Sequence, residues 1–182
     1  MDRPLRADAR RNRARVLKAA QEAFAAEGLA VPLDEIARRA GVGAGTVYRH
    51  FPTKEALFEA VVTDRLEALA QDGRAALREP DVGAAFFGFL THLVADAQTK
   101  KDLADALAGA GIDLCTSTQE AAADLHAQLS ALLKQAQQAA AVRPDIDVSD
   151  LHAIVFGALA AETRADRSGR ITAIIFDCLR PR

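Results

Sequence analysis

Gly41 is the residue that most constrains what this chain can fold into. It separates two short segments with helical patterning. Leu33, Ile36, Ala37 and Ala40 share one face of the first, and the second, Ala44–His50, is stopped by Pro52. Two helices joined this tightly cross at a steep angle. That crossing needs a small residue at the contact, a turn residue free to take positive φ, and apolar residues around the turn. Ala37 is the small residue, Gly41 is the turn, and Val42 and Val47 are the expected buried pair. The spacing predicts a helix-turn-helix over residues 33–52.

The second segment carries the right chemistry for a nucleic acid. Thr46, Tyr48, Arg49 and His50 crowd one short helix, and Lys54 opens the next. Such side chains donate to phosphates or reach base edges, and N–H groups at helix starts also point at phosphate oxygens. The charge distribution agrees. Residues 1–54 hold 11 basic and 6 acidic residues, whereas residues 55–182 hold 12 and 19, so a net charge of −2 hides a basic head on an acidic body.

The rest of the chain reads as helix. Half of its residues are hydrophobic, mostly Ala and Leu, and no Val/Ile/Thr-rich alternating runs occur. The expected fold is all-α with about nine helices. A three-helix DNA-binding domain over 1–54 precedes a helical ligand-binding and dimerisation domain over 55–182. The first helix is expected over Asp8–Glu27 and the fourth over about Lys54–Arg78, capped by Thr53, with Gly73 as a possible kink. A fifth follows Glu79-Pro80-Asp81 to about Gln98. A short helix is expected near Lys101–Leu107. Ser117-Thr118-Gln119-Glu120 is a capping-box pattern that starts the next, which Arg143-Pro144 ends. The last two start near Asp147 or Ser149 and after Ser168-Gly169.

The run Gly41-Val42-Gly43-Ala44-Gly45-Thr46-Val47-Tyr48-Arg49-His50-Phe51-Pro52-Thr53-Lys54, with Leu57 after it, closely resembles the signature of the TetR family of transcriptional regulators. The resemblance covers roughly residues 10–58. It implies a homodimer that places Ala44–His50 in the major groove of a palindromic operator, most often as a repressor released by a ligand. By position, Thr46, Tyr48, His50 and Lys54 match residues that family members commonly use on DNA, and Phe51 matches a packing position. The candidate DNA surface also includes Leu33, Gly43, Ala44, Gly45, Arg49 and Thr53. Two departures matter. Val31-Pro32 stands where many relatives have Ser or Thr, and Ala44 and Gly45 open the recognition helix almost without side chains. Arg3, Arg6, Arg10, Arg11, Arg13 and Arg15 form an arm that fits either a minor groove or a solvated tail.

The last two helices carry long apolar stripes: Leu151, Ile154, Val155 and Ala158, then Ile171, Ile174, Ile175 and Cys178. The resemblance implies a dimer built on them, and a two-fold dimer is what a palindrome requires. It also implies a largely apolar ligand between the middle helices. The expected lining is Leu66, Leu69, Phe86, Phe89, Leu90, Leu93 and Leu129 with Cys115 and His126 as polar points. Residue by residue, the same set fits a filled core.

Other readings find little to stand on. The chain has no G-x-S-x-G, P-loop or H-E-x-x-H, so no enzyme is expected, and no cofactor or metal. His92 and Asp96 sit at i, i+4, a weak metal pair that also fits a solvated helix face. Cys115 and Cys178 have no disulfide or zinc spacing and are expected to be reduced and buried. The Arg-rich N-terminus lacks the apolar core of a signal peptide, and no run approaches transmembrane length. A cytoplasmic protein without a membrane partner is expected.

Overall fold

The computed structural model describes residues 3–99, 115–164 and 169–181. They form eight α-helices and no strand. The helices are α1 (Arg3–Glu27), α2 (Leu33–Ala40), α3 (Ala44–His50), α4 (Lys54–Ala76), α5 (Val82–Thr99), α6 (Thr116–Gln138), α7 (Val148–Arg164) and α8 (Arg170–Asp177), with a 3-10 turn at Gly28–Ala30. The short helix expected near Lys101–Leu107 lies outside the described residues. No helix among those described is long and apolar enough to cross a membrane.

The described residues fall into two compact units. The first holds α1–α3, α4 up to Arg65 and Cys115–Thr118; the second holds the rest, from Leu66 to Thr99 and from Gln119 onward. The division between these two units falls inside α4, between Arg65 and Leu66. In the first unit Val16, Ala20 and Phe24 of α1 are buried with Ile36, Val47, Leu57 and Phe58. Phe24 and Phe58 meet edge to face at 5.9 Å. In the second unit α5 packs on α7 and α8, which pack on each other. Its core gathers Leu69, Phe86, Leu90, Leu132, Leu151, Ala158, Phe176 and Leu179.

Several expected boundaries shift, each for a local reason. Helix α1 starts at Arg3, because Pro4 falls in its first turn, where a missing N–H breaks no helical bond. Gly73 is not a break in α4. An added Cβ there would come within 2.9 Å of Gln128 Cβ and 3.4 Å of Phe89 Cζ, so this glycine lets α5 and α6 approach. Helix α6 begins at Thr116, one residue before the expected cap. Ser117 lies inside its first turn, and Thr118 is buried, its hydroxyl sharing a 2.7 Å hydrogen bond with that of Thr63. The helix ends at Gln138, ahead of Arg143-Pro144, because Ala140 turns left-handed at φ 53°. The N–H groups of Ala141 and Val142 then fold back onto the Ala136 carbonyl. At the start of α7, Asp147 accepts the N–H groups of Ser149 and Asp150, and Asp150 accepts that of Asp147. This reciprocal cap sets the helix start that was expected near Asp147 or Ser149.

Candidate nucleic-acid interface

Helices α2 and α3 meet as a helix-turn-helix. Gly41 stands at φ 61°, ψ 40°, and the N–H groups of Gly41 and Val42 close α2 by donating to the carbonyls of Arg38 and Ala37. Ala37 and Ala40 are buried at the contact. Val47 is fully buried and fixes the inner face of α3, while Val42, expected beside it, is only half-buried. Phe51, the residue after α3, is also buried.

Burying Val47 turns the opposite face outward. Ala44, Gly45, Tyr48, Arg49 and His50 are exposed, and Thr46 is half-buried. Among the described residues, Tyr48 is one of three large apolar side chains that stand out from the surface, at 47% exposure. Helix α3 opens after extended Gly43 with no side-chain cap, and only the Thr46 N–H turns back to the Gly43 carbonyl. The first N–H groups of the helix thus lie beside the exposed face, an arrangement suited to a phosphate oxygen.

Three of the candidate residues have other duties. Leu33 is buried in the core of the head, so its side chain cannot reach DNA; the start of α2 has only backbone to offer. Thr53 caps α4, its Oγ1 accepting the Ala56 N–H at 3.1 Å. Half-buried Lys54 donates from Nζ to the carbonyls of Leu29 at 2.9 Å and Ala30 at 3.3 Å, closing the turn after α1.

Four other basic residues of the head are similarly engaged. Arg38 and Arg39 both bond Glu35, and Arg39 also reaches Glu27 at the end of α1, at 2.6 Å. Their guanidinium groups, Arg38 first, hold the Glu35 carboxyl at about 2. Arg15 and Arg13 of the proposed arm contact the helix-turn-helix itself. Arg15 Nη2 donates to the Gly41 carbonyl at 3.2 Å, and the Arg13 guanidinium lies 5.7 Å from the centre of the Phe51 ring. The sequence reading missed these roles, because nothing in the pattern of an arginine run says which members fold back.

The residues proposed to line a ligand site divide. Leu69, Phe86, Phe89, Leu90, Leu93 and Leu129 are brought together in the core of the second unit, with Leu66 half-buried. His126 is not among them. It is exposed, with its ring 5.1 Å from that of His152, whose pKa is lowered by burial and by His126. Cys115 belongs to the first unit. Its N–H bonds the Glu59 carboxylate, and its Sγ lies 3.0 Å from Ser117 Oγ. Both cysteines are exposed, contrary to expectation: Cys115 stands just ahead of the start of α6, and Cys178 in the turn after α8. His92 pairs with Asp72 at 3.5 Å across to α4. No group of three or more metal-ligating side chains occurs among the described residues.

The proposed dimer residues also divide. Leu151 and Ala158 are buried in the unit's own core and have no surface left for a partner. The helical repeat fits both faces of α7, and packing decides which one turns inward. Ile154, Val155, Ile171 and Ile175 are half-buried, and Ile174 and Cys178 are exposed. Phe156, which the stripe omitted, is the most exposed large apolar side chain among the described residues, at 69%, with Ile174 at 57%.

Two family models match the chain. Residues 16–61 match bacterial regulatory proteins of the tetR family, and residues 81–181 match the C-terminal domain of SbtR-like transcriptional regulators. A TetR transcription regulatory protein from Mycobacterium vanbaalenii is 48% identical, with 98% of this chain and 100% of that one covered, at a TM-score of 0.82. A TetR transcriptional regulator from Streptomyces coelicolor is 32% identical over 93% of this chain and 98% of its own, with a TM-score of 0.76. The uncharacterised HTH-type transcriptional regulator TtgW of Pseudomonas putida is 42% identical over 73 residues. That match spans 40% of this chain and about half, 54%, of the relative's length.

Proposed function

Because this chain belongs to the TetR family of bacterial transcriptional regulators, we propose that it is a homodimeric repressor that binds a palindromic operator through α3 and leaves it when a small molecule binds. One observation carries the operator reading. Helix α3 is anchored on one side by Val47 and leaves Thr46, Tyr48, Arg49 and His50 accessible on the other. A helix so held can enter a major groove without unfolding its support. Tyr48, Lys54, Thr53 and the N–H groups of Gly43, Ala44 and Gly45 face phosphates in this reading, and Arg49 reads base edges. Lys54 reaches a phosphate by exchanging one of its two carbonyl partners for it.

A monomer presents one recognition helix and a palindrome needs two, a turn of DNA apart. The exposed apolar pair Phe156 and Ile174, flanked by Ile154, Val155, Ile171, Ile175 and Cys178, is the surface on which a second copy docks. A largely apolar effector enters among Leu66, Leu69, Phe86, Phe89, Leu90, Leu93 and Leu129. It releases DNA only if it binds better to an arrangement that cannot span two successive grooves. Helix α4 is the element through which that preference reaches Lys54, since it runs through both units.

Selection of duplexes from a random pool by the purified protein tests the operator reading. The expected result is a palindromic consensus bound by two chains. Recovery of no consensus, or of a single half-site bound by one chain, overturns it.

A further inference from the structure

Helix α3 has 7 residues, too few to hold its own shape or direction without help. Its inner face is fixed by one buried side chain within the helix, Val47. What sets its direction is therefore whatever holds its two ends. At the leading end, Arg15 reaches across from α1 and donates to the carbonyl of Gly41, the turn residue. Its guanidinium also fills the space above that turn: a Cβ added at Gly41 would come within 2.6 Å of Nη2. At the trailing end, Arg13 places its cation 5.7 Å from the centre of the Phe51 ring. Phe51 is buried, and its N–H donates to the Val47 carbonyl to close α3. The two arginines thus engage the residues that bracket the recognition helix. A third cation, Arg39, fastens α2 to Glu27 at the far end of α1.

We propose that Arg13 and Arg15 are positioning residues for DNA reading, bracing both ends of α3 from α1 without themselves contacting DNA. Reading a base edge requires the helix to sit within a fraction of an ångström of its place in the groove. Contacts too weak to matter for folding then matter for discrimination. Losing one leaves the head folded and still attracted to phosphates, but α3 tilts among several directions, and only the sequence-specific part of binding suffers. The inference rests on the reading of α3 as the recognition helix.

The test uses the full chain and the duplex that the wild-type protein selects from a random pool, with a scrambled duplex of the same composition. Arg15→Met and Arg13→Met should each reduce the preference for the selected duplex by about tenfold. The salt dependence of binding to the scrambled duplex should stay as in the wild type. Arg15→Lys, which can still donate to the Gly41 carbonyl, should restore most of the preference. Amide exchange across residues 41–51 should quicken in Arg15→Met. A salt slope on scrambled DNA that falls by about 0.9 per subunit, with preference retained, makes these residues phosphate contacts and overturns the proposal. So does a preference unchanged in both Met variants. If the wild type selects no duplex at all, the failure lies instead with the reading of α3. The exchange data still report whether α1 braces it.

Discussion

At the scale of single residues, identity and role part company. Arg49 and Arg38 are both exposed arginines of the helix-turn-helix, yet Arg38 is bound to Glu35 at 2.7 Å while Arg49 stands on the open face of α3. Arg49→Ala should therefore relax sequence preference, at a cost of roughly 1–3 kcal/mol per lost bidentate base contact. If selected and scrambled duplexes weaken in parallel, Arg49 is a backbone contact. Ala140 shows the reverse, an ordinary residue in an unusual place. Its left-handed φ of 53° costs an L residue roughly 1–2 kcal/mol, partly offset by the greater flexibility of glycine in the unfolded chain. Ala140→Gly should raise stability by about 0.5–1 kcal/mol in denaturant unfolding. A loss of stability would mean that the Ala140 methyl makes contacts worth more than the strain.

At the scale of elements, the helix ends and the links between helices are what chemistry can perturb. Removing the carboxylate that caps α7, by Asp147→Ala, should cost about 1 kcal/mol, and Asp147→Asn should recover much of it. Equal losses for both would deny the cap its role. The ion-pair cluster on α2 titrates through Glu35. Glu35 ordinarily takes up its proton near 4.5 but holds out in the fold to about 2, because Arg38 and Arg39 bond its charged form. Between those values the unfolded chain binds more protons than the folded one. The stabilisation is therefore complete above about pH 4.5 and is lost as the pH falls toward 2. The melting temperatures of the wild type and Glu35→Gln should differ by a constant amount at neutral pH and converge below about pH 4.5. A gap that persists unchanged to pH 2 would mean that the paired Glu35 carboxylate does not stabilise the fold.

At the scale of the molecule, the proposed dimer depends on the exposed apolar side chains of α7 and α8. Phe156 and Ile174 are exposed, so a charge placed there disturbs no core of the subunit. In a dimer it would be buried without a partner, at a cost of several kcal/mol. Phe156→Glu and Ile174→Glu should give folded monomers by sedimentation, with native helix content and without operator binding. An intact dimer in both would move the interface elsewhere. Leu151→Glu, by contrast, should unfold the second unit, since Leu151 is fully buried inside it.

Much of this was legible from the sequence because it depends on neighbours along the chain. A glycine that must turn left-handed at position 41, a small residue four places before it, a proline after α3 and an aspartate before α7 act locally, and the pattern places them. The all-α class follows for the same reason, from a repeat of 3.6 residues in an Ala- and Leu-rich chain. What only the tertiary structure decided depends on residues far apart in sequence. Packing chose which face of α7 turned inward, taking Leu151 and Ala158 and leaving Phe156, because two apolar stripes on one helix cannot both face the same core. It turned Arg13, Arg15 and Lys54 from free cations into partners of Phe51, Gly41, Leu29 and Ala30, over separations that no local pattern records. It also buried Leu33 and exposed both cysteines, since burial is a property of the assembled core and not of the residue.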